Sequence, residues 1–504
     1  MTPVVTGLLR STLAAAAGVG IVLGATHVRG DLAVAPTTPP ALGTRADSQA
    51  VDQAVTGASV VCPGPELSGV AGVGDIDVAP RLAAAAAPSR VLTGVTPAAT
   101  PGTLAATGLP GRTVLKPQAD RGTTALADLA GSGAAAGGAL VTATQSMASG
   151  LAAAQSWLVP SGDHRALASA GCAPATAESW ILAGGGAAGR QERLVLTNPG
   201  GNPVTVDVTL HGPAGAVPTP QGKGLVVPAR GRTVFLLDSI SGDLTTPAVH
   251  VVAQGGVVSA VVNDLWLDGT RSAGSDDAVP AAAPSREQVV PAVLVNGAAV
   301  LRVLVPGDNE AVVQARVLTP RGPRALPTGG VTRVDGGRVR DIDITKLPKD
   351  AVALQVRADV PVVAAAMVTR GSAPRPSDLA WTSSTPAITG VAGTPLAEPP
   401  RAAHRLSRQL VLTSTGGACG VEVVTVDTRG RLASVRLDVA ADSTTSLDAG
   451  RLSSVWVHRT SGTGQLRAGV VSSVSDSEGT LITAQPLHDT ALRTTTVGLR
   501  EAQP

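Results

Sequence analysis

Between Val204 and Leu210, Val204, Val206, Val208 and Leu210 alternate with Thr205, Asp207 and Thr209. A period of two places the apolar set on one face of a strand and the polar set on the other, so the segment predicts a half-buried β-strand. In Ala248–Trp266 (AVHVVAQGGVVSAVVNDLW) two apolar, β-branched runs flank Gly255-Gly256. That pattern predicts a hairpin closed by the glycine pair. Ala139–Trp157 aligns with this stretch without gaps at a shift of 109, which brings Ala139 onto Ala248, Gln145 onto Gln254 and Trp157 onto Trp266. Val352–Arg370 and Val455–Ser473 have the same strand–turn–strand form, and Gly111-Arg112-Thr113-Val114 recurs as Gly231-Arg232-Thr233-Val234.

Other elements repeat in step. Asp238, Asp343 and Asp448 stand 105 residues apart, and similar strand–glycine turn–strand openings begin at Leu194, Leu301 and Leu410. The period predicts four units of roughly 105–115 residues, whereas a β-propeller blade is far shorter, at about 40–45. Each unit supplies about six or seven short strands, the profile of an immunoglobulin-like β-sandwich. The chain thus reads as all-β, with tandem sandwiches following an N-terminal hydrophobic helix. The boundaries fall at 57–170 for a divergent first unit opened by Ser59–Leu67, then 171–284, 285–385 and 409–490, with a tail at 491–504. These are long enough to be independent domains on a string. Residues 31–56 and 386–408, rich in proline and alanine, read as linkers. Within the first unit, Ala71–Pro110 (with alanines at 83–87) reads as a mobile insert and Leu126–Leu140 as a loop of small residues.

Composition reinforces the strands. With one Phe, five Trp and no Tyr, the cores must be built from Val, Leu, Ala and Ile, and branching at Cβ suits a pleated surface. The 59 Gly and 38 Pro fit many turns. A net charge of +2 with scattered Lys and Arg excludes a phosphate-neutralising stripe, and six aromatics leave no base-stacking platform, so nucleic acid is not the expected partner.

Residues 1–30 read as an export element. Arg10 precedes an uncharged run from Ser11 to Thr26, between the length of a signal-peptide core and that of a span of about 20 residues. It is either an uncleaved anchor crossing the membrane through residues 11–28, or a signal cleaved after Ala33-Val34-Ala35, where Pro36 is unfavourable. Both place the body outside the cytoplasm, at the cell membrane or secreted. In an oxidising compartment cysteines pair. Cys62, on the first strand of the first unit, and Cys172, just past its last strands, are the expected disulfide; it would close a loop of about 110 residues, worth about 4–5 kcal/mol on the chain-entropy model. Cys419 falls in a turn of the fourth unit and is expected free or intermolecular; three reduced thiols are the alternative.

No motif carries chemistry. Asp238, Asp343 and Asp448 read as caps that accept backbone N–H groups. Trp157, Trp266 and Trp381 read as closing the ends of the sandwiches, or else as exposed anchors. The seven His lack zinc spacing, and Asp163-His164 has no nucleophile elbow to serve. Ala183–Gly189 lacks the end of a phosphate loop. Asp276-Asp277 and Asp308-Asn309-Glu310 read as acidic turns with weak calcium potential and no calcium-loop spacing. No catalytic, cofactor or metal residue is assigned.

The Cys-Pro-Gly-Pro strand at Cys62–Pro65, Cys-Ala-Pro-Ala-Thr-Ala-Glu-Ser-Trp at Cys172–Trp180 and Leu-Val-Leu-Thr-Asn-Pro-Gly at Leu194–Gly200, behind an apolar anchor, resemble an uncharacterised family of large actinobacterial secreted or membrane-anchored proteins, a domain of unknown function. The resemblance implies location and architecture but no mechanism. The expectation is therefore a non-enzymatic cell-envelope scaffold that binds a protein or glycan through loops at the sandwich ends. An enzyme or accessory subunit of envelope polysaccharide assembly is the alternative. It would need paired carboxylates, for which Asp207 and Glu310 are candidates.

Overall fold

In the first, second and fourth repeat units eight strand positions divide between two antiparallel sheets by one rule, and in the third the sixth and seventh positions are one strand that joins the two sheets. The first, sixth, third and fourth strands form one sheet in that order, and the fifth, second, seventh and eighth form the other. In the first unit the strands are Gly57–Cys62, Arg81–Ala86, Leu104–Gly108, Thr113–Gln118, Ala125–Asp128, Ala139–Thr144, Leu151–Val159 and Ala166–Cys172. The second unit splits its fourth strand into Gly215–Val217 and Leu225–Val227. This is a computed structural model, which describes residues 51–92, 94–129, 137–241, 244–371 and 375–496. Residues 53–494 form one compact body, to which the following refers; the second body comprises 1–52 and 495–504, and its few described residues are extended. The expected export element at 1–30 lies outside the described residues, as do residues 31–50 of the expected linker and the end of the tail. No described helix is long and apolar enough to cross a membrane.

The expected glycine-pair hairpin is instead a crossover between sheets. Ala248–Gln254 hydrogen-bonds to Glu178–Leu182 on one side and Val204–Gly212 on the other. Ser259–Asp268 lies in the opposite sheet, between Arg190–Asn198 and Arg271–Ala278. Each run is a central strand with both edges occupied, so neither has an edge left for its neighbour. Gly255 turns at φ 78°, and a Cβ on Gly256 would press into Val204. The third unit dispenses with the turn. Ala351–Arg370 is a single strand whose first half pairs with Ser285–Leu294 and Ala311–Thr319, and whose second half pairs with Ala299–Leu304 and Asp378–Ser383.

Two segments expected to be loose are built into the core. In the supposed mobile insert, Ala83, Ala84 and Ala85 pair with Ala154, Ala153 and Ala152. Methyl-sized side chains on both strands let other layers approach closely. Ala84 and Ala86 face the first unit's own core, while Ala85 and Ala87 pack with Val391, Val424 and Trp456 of the fourth unit. Val391–Pro395, inside the supposed 386–408 linker, is the fourth unit's first strand and pairs with Ser454–His458. A Cβ on Gly393 would overlap the Trp456 ring, so the glycine is what lets the two meet.

Nor are the units beads on a string. Leu304, Val363, Leu379 and Trp381 of the third unit belong to the second unit's core, and Val411, Val471, Ile482 and Ala484 of the fourth belong to the third's. Trp157 packs beside Leu265, joining the first unit to the second. With the seam between the fourth unit and the first, the contacts close a ring. At its centre the four eighth strands, Ala166–Cys172, Arg271–Ala278, Asp378–Ser383 and Thr480–Pro486, lie against one another. Each would be an exposed sheet edge in an isolated unit; here the neighbours cover it.

Candidate functional site

The central strands carry buried acids. Asp378, 0% exposed, opens the third unit's eighth strand. Its Oδ2 accepts the N–H of Ile482 at 2.8 Å and of Leu167 at 3.3 Å, and its Oδ1 accepts that of Ser275 at 3.3 Å. One carboxyl thus holds the eighth strands of the other three units. Asp276 accepts the Trp381 N–H at 2.8 Å and the Thr483 hydroxyl at 2.8 Å. Burial drives the pKa of both groups up, and the donated hydrogen bonds oppose it. The expectation of an acidic turn at Asp276-Asp277 is overturned: both side chains are buried in the strand Arg271–Ala278. The pattern of that strand reads polar because it packs on the polar faces of other units.

Asp277 meets Glu66 of the first unit. Glu66 accepts from Trp157 Nε1 at 3.0 Å and from the Gln155 amide, and its carboxyl donates to Asp277. Burial, then the neighbouring carboxylate, pushes Glu66 well above the usual range. Burial raises Asp277 to about 6, against hydrogen bonds from Asn263, Glu66 and Trp157. Two carboxyls do converge, one from the turn after Gly57–Cys62 and one from the strand Arg271–Ala278, but at 0% and 2% exposure no substrate reaches them.

Accessible space lies at the other end of the eighth strands. A cavity of about 440 Å³, within the range of small-molecule sites, opens where these strands finish, at Cys172, Val279, Gln485 and Pro386. Its wall is mainly apolar. The segment Cys172–Trp180, anchored by the Cys62–Cys172 disulfide (Cα–Cα 4.5 Å), contributes Ala173, Pro174, Ser179 and Trp180. Thr176 fixes this wall to the second unit by exchanging backbone hydrogen bonds with Val258 at 2.9 and 3.0 Å. Trp180 stacks on His250 with ring centroids 3.7 Å apart and 5° between planes, and its Nε1 donates to Glu178 Oε1 at 3.1 Å. Of the polar groups on the wall, Asp489 already accepts from Thr389 and Gly390, and Gln485 donates to Thr394. Ser59, Ser259 and His488 also line the wall, and His488 is half-buried, its pKa lowered by burial while Asp489 pulls it up. A neutral imidazole in an apolar chamber is equipped to orient a ligand by one hydrogen bond.

The other predicted residues lie elsewhere. Asp343 and Asp448 accept the N–H two residues on, from Thr345 and Gly450, both at 2.9 Å, in the capping role expected. Asp207, in the second unit, accepts the Gly224 N–H, and Glu310, in the third, pairs with Arg333 of the same unit, so the two candidate carboxylates are not brought together. Trp157 and Trp381 do not close unit ends; they are buried where units meet, and Trp381 Nε1 donates to Asp264 at 2.7 Å. Cys419 is not in a turn but on the strand Cys419–Asp427, a free thiol within the fourth core, its pKa raised by burial. Among the described residues no group of three His, Cys, Asp or Glu could hold a metal. His488 and the cavity were missed because the wall draws on segments far apart in the chain; only the Cys172–Trp180 motif marked it.

Fold and site together define an all-β protein whose units enclose a largely apolar chamber. The chain belongs to a family of unknown function, DUF5719, whose model matches residues 125–450. No curated protein matches it. Among solved structures it is similar to Thermotoga maritima 1070, at 18% identity over 20% of this chain and 92% of that one, with a TM-score of 0.17. It is also similar to the Anabaena sensory rhodopsin transducer, at 16% identity over 16% and 94%, with a TM-score of 0.14.

Proposed function

We propose that this chain is a non-enzymatic binding scaffold of the cell envelope. It is exported, and its immunoglobulin-like sandwiches close around a chamber that takes a small, largely apolar ligand with one hydrogen-bonding end. The chamber of about 440 Å³ beside His488 is the observation that carries this reading. The Cys62–Cys172 disulfide supports export, since such bonds persist in oxidising compartments. The enzyme alternative has support in the meeting of Glu66 and Asp277. Glycoside cleavage, however, needs carboxyls on either side of a bound sugar, and this pair is sealed.

Titration with anilinonaphthalene sulfonate, which fluoresces in apolar sites, tests the chamber. The wild-type protein binds a single equivalent, and Ala173→Phe, which extends a half-buried wall residue into the space, removes that binding without unfolding the protein. Equal dye binding by a folded variant would overturn the reading. Recovery of the protein solely from the cytosol would overturn its export.

A further inference from the structure

A second site lies between the third and fourth units, and its charge is one-sided. A cleft of about 660 Å³ is lined by Arg321, Arg324, Lys349 and Arg370, with Asp350 the one carboxylate on its wall. Among the described residues no ion pair engages Arg321, Arg324 or Lys349. Arg370 is the telling member. It closes the strand Ala351–Arg370 at 5% exposure, yet its Nη1 has no hydrogen-bond acceptor. Burial alone pulls its pKa down to about 10, with no acid opposing the effect. A guanidinium nitrogen withdrawn from water without an acceptor is costly, and buried arginines are ordinarily paired. The planar fork fits an oxyanion through two parallel N–H donors.

We propose that this cleft binds a phosphate group, held by Arg370 at its floor and by Arg321, Arg324 and Lys349 at its rim. The cleft is far larger than one oxyanion, since a water's share of liquid is about 30 Å³. Gln409, Ser446 and Ser473 on the fourth-unit wall would meet polar groups of an attached organic part. The ligand is therefore a phosphomonoester of a polar molecule, and free phosphate occupies the same floor less tightly.

Calorimetric titration of the full chain with inorganic phosphate, glucose 6-phosphate and glucose tests this, with thermal melts alongside. Both phosphates bind and raise the melting temperature, the ester at least about tenfold tighter, and glucose does neither. Arg370→Met melts no lower than wild type in anion-free buffer and loses the phosphate-dependent rise. Arg321→Ala/Arg324→Ala, at exposed positions, keeps the fold and weakens both phosphates several-fold, with a shallower salt dependence. Failure of either phosphate to bind, or unchanged binding by Arg370→Met, overturns the site. Destabilisation of Arg370→Met without anion also overturns it, because Arg370 would then be a structural residue. Equal affinity for free phosphate and ester overturns the organic extension.

Discussion

Two junctions bury a carboxyl group beneath a tryptophan N–H, and they neutralise it by different means. Between the second and third units, Asp264 accepts Trp381 Nε1 and takes both Nε and Nη2 of Arg190, at 2.8 and 2.5 Å. Burial would lower the Arg190 pKa, but Asp264 and Glu192 outweigh it and leave it raised. Between the first and second units, Glu66 accepts Trp157 Nε1, but its charged neighbour is another acid, Asp277. Arg232 is nearby, yet its Nη2 donates to the carbonyls of Pro65 and Ser68. Charge is compensated by a counter-ion in one junction and by a retained proton in the other. The first arrangement rests on the geometry of an ion pair, with pH acting only through the neighbouring Glu192, and the second rests on a titrating proton.

The largest expected effect comes from breaking the counter-ion junction. Asp264→Ala leaves Arg190 buried without its bidentate partner and Trp381 without an acceptor, a loss of about 3–5 kcal/mol in denaturant unfolding. A loss below about 1 kcal/mol would mean that Glu192, 3.7 Å from Arg190, takes over.

The proton-bearing junction predicts a pH dependence. In that junction Asp277 is raised from 3.8 to about 6, and beside the counter-ion junction Glu192 is raised from 4.5 to about 8, by burial first in each case. A folded state that holds protons more tightly than the unfolded chain is favoured at low pH. This contribution is present in full below about pH 4 and is lost as pH rises through about 6 for Asp277 and about 8 for Glu192. Unfolding followed across this range should show stability falling with pH, and Asp277→Asn should flatten the part between about 4 and 6. An unchanged slope in that variant would remove the acid pair as its source.

The smallest effect sharpens the contrast. Glu66→Gln replaces a protonated acid by a neutral group that still donates to Asp277, so at pH 5 stability should stay within about 1 kcal/mol of wild type. Asp264→Asn removes the carboxylate shared by Arg190 and Trp381 and should cost more under the same conditions. Parallel responses of the two variants would erase the distinction between the junctions.

The strands and their fourfold recurrence were legible because period-two alternation and repeated turns are local properties. The alternation at Val204–Leu210 and the caps at Asp343 and Asp448 needed nothing from outside their own unit. The Gly255-Gly256 turn misled because a hairpin and a crossover have the same local pattern; what separates them is whether the flanking strands already have partners. The alanines at 83–87 read as filler because small size is informative only beside what packs on it, here Ala152–Ala154 and Trp456. Arg271–Ala278 lacked an apolar signal because its neighbours are other units' polar side chains. The cavity and the Arg370 cleft are assembled from segments hundreds of residues apart, beyond any local pattern.

The uninterrupted strand Ala351–Arg370 also sets where the chain can change length. An extra residue at Gly255-Gly256 would lengthen a turn between two ladders and leave the register of each intact. An extra residue within Ala351–Arg370 would shift one ladder against the other and turn every side chain of that half to the opposite face. Insertions and deletions are therefore admissible in three of the four crossovers and forbidden in the third unit, which makes that strand the fixed ruler of the molecule.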